Sequence, residues 1–119
     1  MPDPDRTFAD LMAVLAERKR QPGARSYTNS LLAGGLEKIA GKLREETGEV
    51  IEAAGEPVIT QYGHVVHEAA DVLYHLFVLL TFCDVELADV AAELARRSGV
   101  SGLDEKASRK TSGQHTEPS

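Results

Sequence analysis

Apolar residues recur three and four positions apart along most of the chain, and no segment alternates apolar with polar in the manner of a strand. Phe8, Leu11, Met12 and Leu15 trace the first stripe, opened by Thr7 and Asp10 as a capping pair. It predicts a helix that ends near Arg20, before the turn signal Gln21-Pro22-Gly23. Ser26-Tyr27-Thr28 offers another cap, with a short turn or helix through Leu31 and Leu32 to Gly34-Gly35. A second main helix is expected from Leu36 to Ala54, stopped by Gly55-Glu56-Pro57, with a loop continuing to about Gly63. A third runs from about His64 to Cys83. A fourth starts near Glu86, with Asp89 as its capping-box partner, and ends before Gly99. The expected class is all-α: one domain over residues 1–110, then a polar, disordered tail over 111–119.

Charged positions change this picture once they are set on their helices, each residue roughly 100° from the last. On the second helix Leu36, Ile39, Leu43, Val50 and Ala54 share one arc, the core-facing stripe. Glu45 and Glu52 lie well away from it, where solvated acids belong. Glu46 falls inside the arc, beside Ile39 and Val50, with Glu49 and Lys42 at its border. The third helix is apolar over most of its circumference and leaves a narrow stripe of His64, His67, Glu68, Asp71 and His75. Such a helix is usually central in a bundle, and its polar stripe then faces a cleft.

Antiparallel packing of these two helices brings Glu46 and Glu49 opposite Glu68 and Asp71. Each pair is spaced i, i+3 and projects from one face. Four converging, half-buried carboxylates repel one another and lose hydration, at roughly several kcal/mol per ion. A hard divalent cation removes that cost, and all-oxygen ligands favour Mg²⁺, Mn²⁺ or Ca²⁺ over Zn²⁺. Mg²⁺ on few protein ligands commonly shares its coordination with substrate phosphates, which points to phosphate chemistry. The plain alternative for each acidic pair alone is a solvated helix face.

Composition narrows the partners. With 119 residues and a net charge of −6, the chain lacks the basic stripe of a nucleic-acid binder, so no nucleic-acid polymer is expected. Cys83 is the single cysteine and sits in an apolar run, so it reads as a packed thiol. Met1 to Arg6 carries no apolar leader, and Glu68, Asp71 and His75 interrupt the longest apolar stretch. We therefore expect no membrane association and a cytoplasmic location.

Several segments together resemble the phosphoribosyl-ATP pyrophosphatases, within the MazG-like all-α NTP pyrophosphohydrolases. They are Ser26-Tyr27-Thr28 with Leu31-Leu32, and Gly35-Leu36-Glu37-Lys38-Ile39 leading to Lys42 and Glu45-Glu46-Thr47-Gly48-Glu49-Val50. Glu68-Ala69-Ala70-Asp71-Val72-Leu73-Tyr74-His75-Leu76 and Glu105-Lys106-Ala107-Ser108-Arg109 complete the match. The superfamily pattern E-x-x-E, spacer, E-x-x-D falls on Glu46/Glu49 and Glu68/Asp71. The resemblance implies hydrolysis of the α–β phosphoanhydride of phosphoribosyl-ATP, a step of histidine biosynthesis, with Mg²⁺ on those four residues. Glu45, Glu46 and Glu49 are then the catalytic candidates, Glu45 as a residue that activates or positions water. Substrate-binding candidates are Lys42, His75, Lys106 and Arg109. Each has a simpler role available: a salt bridge to Glu46 for Lys42, a structural hydrogen bond for His75, a solvated tail for the last two.

Other functions remain open from the sequence. A house-cleaning (d)NTP pyrophosphatase would keep the fold and the metal. A transition-metal bundle would use His64, His67, Asp71 and His75, and a dimerisation module would use none of them. A two-helix hairpin cannot cover the apolar spread of the third helix, so a homodimer completing a four-helix bundle is expected.

Overall fold

The computed structural model describes residues 1–98, and those residues hold four helices and no strand. Lys106, Arg109 and the expected tail lie outside the described residues. Helices α1 (Pro4–Arg20), α2 (Tyr27–Ala54) and α3 (Val58–Phe82) belong to one compact unit that ends at Glu86. Helix α4 (Leu87–Ser98) belongs to a second. Within α4, Arg96 and Arg97 both donate to Glu93 and hold its carboxyl down to about 2.

Helix α1 begins earlier than the Thr7/Asp10 pair suggested. Asp3 is the N-cap, accepting from the Asp5 amide at 3.0 Å, and Pro4 takes the first turn, where a missing N–H costs nothing. Its last turn carries Arg18, Lys19 and Arg20, placed to complement the carbonyl end. Lys19 does more than that. Its ammonium reaches the Thr81 and Phe82 carbonyls at 3.1 and 3.3 Å and Asp84 at 2.7 Å, sealing the C-terminus of α3. That terminus is a Schellman turn: the Val85 amide donates to Leu80 and the Asp84 amide to Thr81, with Asp84 at φ 59°.

Ser26 caps α2 as its sequence indicated, accepting from the Asn29 amide at 3.0 Å. Asn29 itself is buried and donates to the carbonyls of Arg18 and Gln21, at 2.8 and 3.1 Å. One side chain thus joins the end of α1 to the start of α2. Asn29→Ala removes both bonds, while each carbonyl keeps one backbone amide, and should cost about 1–2 kcal/mol. Thermal unfolding should show a drop on the order of 10 °C; an unchanged midpoint would remove Asn29 from this role.

Helix α2 is two helical pieces joined at a kink, and they part at the Gly34-Gly35 pair, as the expected short helix and the main helix from Leu36 require. Gly35 adopts φ 78°, ψ −170°, a conformation open essentially to glycine alone. The bend separates an arm, residues 27–34, from the body that carries the acids. It also turns Leu36 out, at 56% exposure, so the core stripe runs through Leu31, Ile39 and Ala53 and not through Leu36 or Ala54.

The α2–α3 connection is only Gly55-Glu56-Pro57, so the expected loop to Gly63 is helix. Pro57 sits at the N-cap of α3, its carbonyl takes the Thr60 and Gln61 amides, and the Gln61 side chain closes α2 by donating to Ala54 at 2.6 Å. Helix α3 packs along α2, while Leu15 and Phe8 of α1 cover its far end, Phe8 meeting Phe77 edge-on at 5.7 Å. By length and apolar composition alone α3 could cross a bilayer. Cys83, expected to be packed, is exposed, because it lies past the last turn of α3 as the C-cap.

Candidate metal centre

The short hairpin sets the register of two acidic pairs. Carboxylate oxygens of Glu46 and Glu49 on α2 and of Glu68 on α3 lie within 4.8 Å of one another. Asp71, one turn beyond Glu68, hydrogen-bonds the Glu46 carboxyl, and Glu68 hydrogen-bonds Glu49. All four acids are thus neighbours, in two groups that share Glu68: Glu46, Glu49 and Glu68 in one, His67, Glu68 and Asp71 in the other. Glu46 is buried, as its place in the apolar arc required, whereas Glu49 is exposed and Glu68 and Asp71 are half-buried.

A hydrogen bond between two carboxyl groups needs a proton between them. Burial, the Asp71 bond and the charges of Glu49, Asp71 and Glu68 push Glu46 up to about 7. The Glu49 bond, followed by burial, pushes Glu68 upward too. Protons here do what a cation would do better. An all-oxygen donor set with one buried carboxylate suits a hard divalent ion, which displaces the protons when it binds.

Around this centre the other candidates divide. Lys42 binds Glu45 at 2.9 Å, not Glu46, and that bond raises Lys42 above the usual lysine range. Glu45 is exposed and points its carboxylate at Lys42. His75 is buried with both ring nitrogens engaged, Nδ1 with the Asp71 carbonyl at 2.8 Å and Nε2 with the Tyr27 hydroxyl at 2.9 Å. Both nitrogens are thus taken within the protein, the arrangement that the structural alternative expects. The set of three histidines and Asp71 is not assembled either. His64 pairs with Glu56 at the hairpin tip, and only His67 approaches the acids, at 3.6 Å from Glu68 and 3.5 Å from Asp71.

Sequence reasoning missed Tyr27 and Thr28 as neighbours of the site. Thr28, buried, hydrogen-bonds Tyr74, and Tyr27 stacks loosely over Tyr74 with centroids 6.1 Å apart. The available signal was the Ser26-Tyr27-Thr28 stretch, but it reads locally as a helix cap. Only the bend at Gly35 brings the arm onto α3.

A family model described as phosphoribosyl-ATP pyrophosphohydrolase matches residues 8–98. A phosphoribosyl-ATP pyrophosphatase of Rhodopirellula baltica is 50% identical over 99 residues, 83% of this chain and 82% of its own. One from Rhizobium johnstonii is 46% identical over 106 residues, covering 89% and 96%. One from Dinoroseobacter shibae is 50% identical over 102 residues, covering 86% and 97%.

Proposed function

From the chain's membership of the phosphoribosyl-ATP pyrophosphohydrolase family, we propose that it hydrolyses the α–β phosphoanhydride of phosphoribosyl-ATP, releasing phosphoribosyl-AMP and pyrophosphate, with Mg²⁺ held by Glu46, Glu49, Glu68 and Asp71. The observation that carries the metal assignment is the buried Glu46 carboxyl, forced against three further acids. When bound, Mg²⁺ or Mn²⁺ supplies charge neutralisation for the phosphates and a more acidic water. The chain's own groups do the rest. Lys42, one turn before Glu46, can exchange Glu45 for a phosphate oxygen. Glu45, so released, is free to take a proton from water. Pyrophosphate release is to be measured with phosphoribosyl-ATP, dUTP, dCTP and ATP, each with Mg²⁺, Mn²⁺ or a chelator. Turnover confined to phosphoribosyl-ATP and abolished by chelation is expected. No turnover of it sinks the substrate, and indifference to chelation sinks the metal.

We also propose that the working unit is a homodimer. Val58, Ile59, Tyr62 and Val66 on α3 and Ile51 on α2 are all more than half exposed, an apolar face too large to leave in water. A second copy of the same hairpin would cover it and complete a four-helix bundle.

A further inference from the structure

Tyr27 lies outside the acidic cluster, and its hydrogen bonding restricts what it can do. The Asp71 carbonyl can only accept, so His75 Nδ1 must carry the proton in the bond between them. With one proton on the ring, Nε2 is an acceptor, and the Tyr27 hydroxyl must donate to it. A phenol has a single proton. Its oxygen is left with lone pairs alone, and Tyr27 is half exposed. Because His75 holds the Asp71 carbonyl with its other nitrogen, one imidazole ring joins the Tyr27 hydroxyl to the acidic cluster. The ring is fixed by Tyr74 below it and by His75 at its edge.

We propose that Tyr27 is a specificity-determining residue, whose hydroxyl oxygen, oriented by His75, accepts a hydrogen bond from an uncharged donor on the nucleoside part of the substrate. Resting on the nucleotide chemistry proposed above, it adds what the acids cannot supply. Phosphate oxygens accept and do not donate, so they gain nothing from this atom and are left to the metal and Lys42. A sugar hydroxyl or a base amino group is the complementary chemistry. Tyr27 thereby sets which end of the nucleotide lies over the α2 arm and which over the acids.

Tyr27→Phe removes the one oxygen and keeps the ring. Binding of ATP, 2′-deoxy-ATP, 3′-deoxy-ATP and inosine triphosphate to the full-length protein is to be compared in Ca²⁺. The wild type should prefer ATP over one of the other three by roughly 2–10-fold, the worth of one neutral hydrogen bond. The analogue that loses affinity identifies the donor as a sugar hydroxyl or the amino group. In Tyr27→Phe that preference should vanish. A preference surviving in the variant, an equal loss for all four nucleotides, or no binding by any of them would overturn the assignment. Phosphoribosyl-ATP turnover by the wild type is measured in parallel. Its absence would refute the substrate while leaving the Tyr27 comparison standing.

Discussion

Glu46→Gln is expected to lower kcat/KM for phosphoribosyl-ATP by at least about a hundredfold, since a metal ligand supports several kcal/mol of transition-state stabilisation. Glutamine keeps the size and a hydrogen bond for Asp71 but removes the buried charge. The same substitution should move stability in the opposite direction. In the folded, metal-free protein, burial and the neighbouring acids push Glu46 from its ordinary 4.5 up to about 7. Between those values the folded state binds more protons than the unfolded one, so stability falls as pH rises from about 4.5 to about 7. The loss is complete above that interval, on the order of 2 kcal/mol after screening at the open side of the cluster. The variant has no such proton to lose. Metal-stripped wild type and variant should therefore diverge in melting temperature across that interval, with the variant the more stable at pH 8. Adding Mg²⁺ should lift the wild type selectively. Equal kcat/KM would remove Glu46 from the metal centre, and parallel melting curves would mean its carboxyl is not proton-bound in the fold.

That Glu46 is the residue to change was legible from spacing alone. A periodic arc containing Ile39 and Val50 has no room for an acid unless something compensates it, and the structure buries Glu46 there. The class was equally legible, because helix periodicity is a local property of the chain. The start of α3 was not. Val58, Ile59 and Tyr62 are apolar yet 86, 91 and 80% exposed, so they follow no stripe facing the subunit's own core. With Gly63 among them the segment reads as loop, although Pro57 opens a helix there. The break at Gly35 was legible in the Gly34-Gly35 pair, but the direction of the arm was not, because its position depends on contacts from Tyr27 and Asn29 to α3 and α1. His75 illustrates the same limit: helical angle placed it beside Asp71, but its ring is taken by a residue 48 positions away.

Those exposed apolar residues define the second large effect. Ile59, Tyr62, Val66 and Leu73 stand at spacings of three, four and seven along α3, the seam of a coiled coil, with Leu73 the least exposed at 37%. Glu68 and Asp71 project from the other side of the same helix toward α2. One face of α3 thus carries the acids, while the opposite face is left exposed by the other helices of its own compact unit. Burying each seam side chain is worth roughly 1.5–3 kcal/mol, which a hydrated face forgoes. Sedimentation of the wild-type protein should give about twice the 12.8 kDa chain mass. Val66→Lys places a charge at the centre of the seam, where it would meet its own copy across the two-fold axis. The variant should sediment as a monomer and melt at lower temperature. A monomeric wild type would show that the seam is not self-complementary. A dimeric variant of unchanged stability would place the interface elsewhere.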